Sequence, residues 1–403
     1  MFSIGLLANV SFFLYCRQCR YYSMAILLTL LIAYMYLNWN GRWPGILLMM
    51  LASVILILTH YLAYAGLYAV LACDYLLFGR RQKRLKLGHW LLLMGPQALA
   101  GIITVWIYNP IGTRVMPDFP ARNILLDKLT LIWWNFRDLN NCEFCVGILI
   151  LAAPIIYIWT RNVWLLRGAV AIIVYTLAIA ILSPQPTVLI PEADIRYLTP
   201  LLPLCIGLSA LVIASITRHR WFFALPLALL IMGSNVANHP FSPNQWCSRP
   251  VDFAGELLYP RDTSLSVAIR WINDNVQRGE SIWVWPNYME LSLMYHAPHP
   301  IYAWHLRYPP EEQFASLPSI HFFGQGLPDY FIFFGPFKKK GETTINSLKS
   351  IGVEYNLIKV LDIYWDDLTR PEIFWRAFQP KEKFNRDYEA VYIYRHVTPP
   401  QLE

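Results

Sequence analysis

Residues 45–79 form an apolar run of 35 residues whose single charged side chain is Asp74. At 1.5 Å of rise per residue it is too long for one ordinary helix across a hydrocarbon core about 30 Å thick. A membrane span must satisfy every backbone group internally, so a run of this kind predicts helices. The polar patch Thr59-His60-Tyr61 is the natural place for a break, and two spans are expected on either side of it.

The same reading extends along the chain. Apolar segments fall near 2–15, 23–38, 45–58, 62–79, 89–107, 145–160, 167–183, 197–216 and 221–234. The expected fold is a polytopic α-helical membrane bundle of about nine spans over residues 1–235, followed by an extracytoplasmic α/β domain over 236–403. Composition agrees: 15% of residues are charged, against about 25% in a soluble protein. The 16 Trp and 24 Tyr suit bilayer interfaces.

The net charge of +7 does not point to nucleic acid. The basic residues gather in short loops, such as Arg80, Arg81, Lys83, Arg84 and Lys86, which is a topology signal. The run Arg80–Lys86 is expected on the cytoplasmic side, with Arg42, Arg161, Arg167, Arg218 and Arg220. Alternation then puts residues 109–144, 184–196 and everything after 235 outside, together with Arg17, Arg20 and His60. Met1–Tyr15 is apolar but lacks the basic start and small-residue cleavage site of a signal peptide.

Beyond residue 240 the pattern becomes that of an α/β domain. Ser264–Arg278 reads as an amphipathic helix ended by Gly279, Ser281–Trp285 as a strand and Asn287–His296 as a helix. Asp329–Gly335 reads as a buried strand, Thr343–Ser350 as a helix and Glu389–Arg395 as a closing strand. Trp283 and Trp285 share a face because strand side chains alternate. They are expected in the core or against the membrane part, not as a sugar platform.

Several constellations carry candidate chemistry. Cys16-Arg17-Gln18-Cys19-Arg20-Tyr21-Tyr22 places arginines and tyrosines at the outer end of a segment. Arginine's planar fork matches phosphate, although such residues also serve as interfacial anchors. Asp194-Ile195-Arg196-Tyr197 repeats the Arg-Tyr pair at the start of a later span, either as a second phosphate ligand or as an Asp–Arg cap. His60 is a structural histidine or part of the same outer site. Cys16/Cys19 and Cys142/Cys145 are read as structural thiols or disulfides in preference to zinc ligands. His296, His299 and His305 are spaced as a loop. No P-loop, GxGxxG or GxSxG occurs, and paired intramembrane acids of the transporter kind are missing.

The stretches CRYYSMAILL, LTHYLAYAGLYAV and ADIRYLTPLLPL, in that order and on that side, resemble the integral-membrane glycosyltransferases of the GT-C class. The likeness is to the dolichyl-phosphate-mannose and aminoarabinose transferase type, family 39 and its RgtA/B/C/D-like relatives. AIRWINDNVQRGESIWVWP and DDLTRPEIFWRAFQP resemble the extracytoplasmic tails of such proteins. The resemblance implies transfer of a sugar from a polyprenyl-phosphate donor to a glycan, lipid or protein acceptor at the outer face of the plasma (inner) membrane. Arg20 and Arg196 match the family's donor-phosphate arginines. Tyr21, His60, Tyr61, Asp194 and Tyr197 complete the expected pocket, with His60 at its edge. A divalent cation is compatible with this chemistry, and nothing in the sequence requires one.

The family's catalytic acid lies in a long first outer loop, and no Asp or Glu precedes Asp74 here. The resemblance therefore implies a chain short at its N terminus, or one that binds without turning over. Two rivals stand beside the transferase: a non-catalytic membrane protein that binds lipid-linked sugar, and a transporter.

Overall fold

The computed structural model describes residues 21–39, 42–79, 87–108, 124–141, 146–183, 195–218, 220–233, 262–286, 288–302, 326–335, 338–362 and 390–397, with isolated positions among 9–16 and 251–258. The chain divides near Tyr259 into two compact units, each taken here by itself.

The first unit is helical. α1 (Tyr22–Leu37), α2 (Trp43–Thr59), α3 (Tyr61–Asp74), α4 (Leu87–Tyr108), α5 (Ile124–Asn141), α6 (Val146–Thr160), α7 (Val163–Leu182), α8 (Leu202–Ile216) and α9 (Trp221–Gly233) follow in order. A 3-10 segment, Ile195–Leu201, leads into α8. Eight of these helices fall on the apolar segments legible in the sequence; the segment 2–15 lies almost wholly outside the described residues. α1 packs on α2, α2 on α4, and α3 along α7.

Three helical stretches are long and apolar enough to cross a membrane: Tyr61–Gly79, Val163–Leu182 and Tyr197–Ile216. The other apolar helical stretches, such as Leu91–Ile107 within α4, run 10–17 residues, shorter than the roughly 20 a span needs. By that measure the described residues fall short of nine spans. The bundle is apolar outside as well as in: Leu27, Ile102, Trp106, Leu151 and Trp159 stand exposed while Ala25, Leu56, Ile172 and Leu202 are buried. A helix apolar all round belongs in a large core or in lipid.

His60 makes the break in the 45–79 run. Its backbone leaves the helical region (φ −156°, ψ 85°), closing α2 and opening α3, and its ring accepts Ala63 N–H. The sequence missed α5, which occupies part of the expected outer loop. Its charged residues (Asp127, Lys128) hide a stripe of buried positions one helical turn apart, Leu131, Asn135 and Leu139.

The second unit is a three-layer α/β/α sandwich. Its described elements are α10 (Ser264–Asn275), β1 (Ser281–Trp285), α11 (Tyr288–His296), β2 (Ile301–Tyr302), β3 (Tyr330–Phe334), α12 (Lys338–Ser350), β4 (Tyr355–Asp362) and β5 (Ala390–His396). The strand order is β2-β1-β3-β5-β4. β1 runs parallel to β2 and β3, β5 antiparallel to β3, and β4 antiparallel to β5. The register pairs Trp283 with Phe331 and Trp285 with Phe333, so the aromatic residues line one face. α12 covers that face through Ile345 and Leu348. α10 and α11 cover the other, through Ala268, Ile272, Met289 and Leu293.

Trp283 and Trp285 stack 5.5 Å apart, and Trp283 is buried, which makes the pair core. α10 opens on a capping box of Thr263 and Ser266. It stops three residues before the expected end because Val276 turns extended and is buried. α12 begins at Lys338, five residues before the expected start, with Gly341, Ile345 and Leu348 as its inward line.

Candidate functional site

Two clusters of polar and aromatic side chains lie at opposite ends of α3, separated by its 14 residues, or about 21 Å of rise. At the first end, His60 is 7% exposed. Its Nδ1 accepts the Ala63 N–H at 3.2 Å. This acceptor role puts the proton of the neutral ring on Nε2. Tyr21, just before α1, meets the His60 ring edge-on at 5.1 Å. Tyr197, in the 3-10 segment, meets it edge-on at 5.7 Å. Tyr22 packs beside Tyr21 at 4.5 Å. The fully buried Tyr175 of α7 donates its hydroxyl to Tyr197 O at 3.4 Å.

Of the residues singled out in the sequence, the structure brings together Tyr21, His60 and Tyr197. Tyr61 is exposed and takes no part in the ring cluster. Arg20 and Asp194 lie outside the described residues. Arg196 has its backbone in the 3-10 segment, one residue before Tyr197. Each expected phosphate arginine is thus the sequence neighbour of a tyrosine that touches His60. Tyr22 and Tyr175 were not singled out, because a buried tyrosine in an apolar run reads as core.

The second cluster was missed as a unit. Arg167 of α7 donates Nε to Asp74 Oδ1 and Nη2 to Asp74 Oδ2, both at 2.7 Å. Tyr36 of α1 donates its hydroxyl to Oδ2 at 2.8 Å. The Trp164 ring lies under the guanidinium, 4.5 Å from its carbon. The side chains are 14% and 13% exposed, so this is a bidentate, largely desolvated pair. Asp74 closes α3, and five residues of π-helix, Tyr75–Gly79, follow it. Arg167 was expected at the cytoplasmic start of its segment; it sits in the second turn of α7, whose start at Val163 is four residues earlier than expected. With its carboxylate held by three donors, Asp74 is not placed to act as a base.

Between these ends α2, α3 and α4 share a hydroxyl network. Tyr64 donates to Gln97 Oε1 at 2.6 Å, Gln97 donates to Leu93 O at 2.7 Å, and Ser53 and Tyr68 bond at 2.7 Å. Such bonds hold helices together where no hydrophobic force separates them from lipid.

Cys16 is a free thiol; Cys19, Cys142 and Cys145 lie outside the described residues. His299 Nε2 lies 3.0 Å from Val276 O, His296 packs on Tyr295, and His305 lies outside the described residues. Among the described residues no three His, Cys, Asp or Glu side chains are grouped to hold a metal ion.

In the second unit one titratable group stands apart. Glu290, in the first turn of α11, is 3% exposed. Its Oε1 has no hydrogen-bond partner. Burial pushes its carboxyl up to about 7. Tyr302 is raised as well, by its own burial first and then by the Glu290 charge.

No family model, no curated protein and no solved structure matches this chain.

Proposed function

We propose that this chain is an integral membrane protein of about nine spans that holds a polyprenyl-phosphate-linked sugar at its His60 end, in the manner of a GT-C-type glycosyltransferase. The observation that carries the reading is the meeting of Tyr21 and Tyr197 on one histidine. The residues next to them, Arg20 and Arg196, stand 176 positions apart in sequence. A Cα lies only about 3.8 Å from the next along the chain, and on that ground the reading assigns both arginines to one phosphate. A phosphodiester in a partly desolvated site is the anion such a pair suits. The apolar outer surface of the bundle and its three span-length helices support membrane insertion.

In this reading the His60 end faces outward, the Asp74–Arg167 end faces the cytoplasm, and the second unit is extracytoplasmic on the plasma (inner) membrane. α1, α3 and α7 support it, because their ends alternate as loop charge demands. Tyr36, Asp74 and Arg167, all assigned to the cytoplasmic side, meet at one place. A cysteine engineered at Lys339 is expected to react with an impermeant thiol reagent in intact cells. Labelling only after permeabilisation overturns the orientation.

The chemistry assigned to the transferase is displacement at the anomeric carbon. The acceptor oxygen forms the new bond, the lipid phosphate leaves with the electron pair, and the acceptor proton goes to a base. Asp74 is not that base. The alternative, a protein that binds lipid-linked sugar without turnover, rests on this engagement of Asp74 by Arg167 and Tyr36. A transporter is the more distant reading, since the Asp74–Arg167 ion pair is mutually neutralising. The test is purified full-length protein in nanodiscs with a polyprenyl-phosphate sugar. Release of polyprenyl phosphate identifies the transferase, whereas saturable binding without release identifies the binder. Arg20→Ala and Arg196→Ala are each expected to weaken binding at least tenfold. Unchanged binding in both overturns the site.

A further inference from the structure

α5 (Ile124–Asn141) carries its two faces inverted. Its inward line is Lys128, Leu131, Asn135 and Leu139, spaced by three and four residues. Leu131, Asn135 and Leu139 are buried and Lys128 is half-buried, so both polar side chains of that line turn towards the protein. The opposite arc is Leu125, Leu126, Leu129, Trp133 and Phe136. Leu129 is 54% and Trp133 63% exposed, Leu125 and Leu126 more so, and Phe136 is half-buried. A helix resting on a protein in water has the reverse pattern, apolar inward and polar outward.

The fold also fixes where α5 lies. Lys128 donates its ammonium to Ser183 O, and Ser183 closes α7. α7 is 20 residues long and apolar enough to cross a membrane, so its closing end stands at a bilayer boundary. This is the boundary on the His60 side, because Asp74 at the end of α3 meets Arg167 near the start of α7. At the other end of α5, Asn141 is followed five residues later by Val146, the start of α6. α6 and α7 pack on each other as a hairpin turned at Arg161-Asn162. The start of α6 and the end of α7 therefore share one end of that hairpin, and both ends of α5 are tied to it. Its 18 residues, about 27 Å of rise, run along this boundary and not across the bilayer. The neighbouring surface is apolar too, with Ile148, Leu151 and Ile155 of α6 exposed.

We infer that α5 is an in-plane helix docked on the lipid interface at the His60 side, with the arc from Leu125 to Phe136 set into the acyl-chain boundary. This rests on the reading of the first unit as a membrane bundle. An interfacial helix sinks its apolar face about 5–10 Å into the boundary between headgroups and acyl chains, and an indole such as that of Trp133 gathers at that level. A second copy of the chain is the weaker occupant. Five part-exposed side chains, on the order of 100 Å² each, fall short of the ~800 Å² per partner that a stable interface buries. α5 packs also on the 3-10 segment Ile195–Leu201. Lipid held on one face of α5 thus bears on the segment that carries Arg196 and Tyr197.

The experiment uses full-length protein in nanodiscs of phosphatidylethanolamine and phosphatidylglycerol. The photoreactive residue p-benzoylphenylalanine replaces Leu129 or Trp133, and Leu151 of α6 as the reference. Illumination followed by mass spectrometry is expected to give lipid adducts at all three positions, with yields at Leu129 and Trp133 within threefold of that at Leu151. Lipid adducts at Leu151 alone, with unreacted probe or cross-links within the chain at the other two, overturn the inference and leave the membrane reading standing. Cross-links between two copies at Leu129 or Trp133 assign the face to a dimer and overturn it as well. No lipid adduct at any of the three overturns the membrane bundle together with the docked helix. Because a bulky residue could disturb folding, hydroxyl-radical footprinting of the wild-type protein gives an independent readout. Trp133 is 63% exposed in the protein by itself. In nanodiscs it is expected to be oxidised at least fivefold more slowly than in the unfolded chain, and a smaller slowing puts this face in water and overturns the docking.

Discussion

Each unit of this protein buries a carboxylate, and the two are handled in opposite ways. Asp74, in the helical unit, is held by a bidentate guanidinium and a tyrosine hydroxyl. Glu290, in the α/β unit, is buried more deeply yet has an Oε1 without a partner. A buried carboxylate has two ways out of the cost of desolvation: a counter-charge or a proton. The helical unit uses the first, with Arg167 supplying the counter-charge. The α/β unit uses the second, and its carboxyl is pushed up to about 7. A paired charge is intolerant of losing its partner; a protonated carboxyl has no partner to lose.

The sharpest way to break this contrast is to remove one half of the pair. Asp74→Ala or Arg167→Ala is expected to cost about 3–5 kcal/mol, because the surviving charge is left buried. The double variant Asp74→Leu/Arg167→Met is expected to recover most of that. Unfolding of the full-length protein in detergent, arranged as a double-mutant cycle, measures the coupling. Additive losses would show that the pair is not acting as one.

Glu290 predicts the opposite sign. Its folded-state pKa is raised, so its contribution to stability is fully present below about pH 4.5 and is lost as pH rises through about 7. The span of about 2.5 pH units is worth roughly 3 kcal/mol. Glu290→Met is expected to flatten that part of the stability profile and to raise stability at pH 8 by a similar amount. A profile with the same slope in the variant sinks the assignment.

Glycine contacts sharpen the comparison of how tightly each unit is packed. A Cβ on Gly341 would lie 2.5 Å from the Phe333 ring, and one on Gly66 would lie 2.8 Å from the Tyr175 ring. Both rings are fully buried and have little room to yield. Gly341→Ala and Gly66→Ala are each expected to cost about 1–3 kcal/mol by overpacking, the first more than the second. Thermal unfolding of each variant ranks them, and equal stability with wild type would mean that the ring facing the glycine yields freely.

The smallest effect expected is at the helix break. His60→Ala removes the side chain that caps α3 and should cost about 1 kcal/mol. His60→Asn, which can cap in the same way, is expected to recover it, and an Asn variant no better than Ala would deny the ring its capping role.

The helices of the first unit were legible because their exposed and buried positions are both apolar, so the segments read directly as runs. Their ends were less legible: Val163 begins a helix at a position that polarity alone does not mark, whereas the polar patch Thr59-His60-Tyr61 did mark the break at His60. α5 was hidden because Asp127 and Lys128 made it look like loop. β1, β3 and β5 stood out as runs rich in aromatic and β-branched residues. β4 did not, since it carries Asn356 and Lys359, and its register shifts between Leu357 and Lys359, which destroys period two. At the candidate site the tyrosines beside Arg20 and Arg196 could be named from sequence. The Asp74–Arg167 pair could not, because 93 positions separate its members and only packing of α3 on α7 brings them together.

His60 carries a consequence of its own. One residue ends α2 and starts α3, so these helices share a hinge with no slack, and a tilt of one must be answered by the other. The hinge is secured by Nδ1, the nitrogen that accepts the Ala63 N–H. A protonated imidazole has no acceptor left. A proton on that nitrogen therefore removes the cap from the first turn of α3, and a positive charge gathered on this ring beside Tyr21 and Tyr197 would loosen the start of that helix.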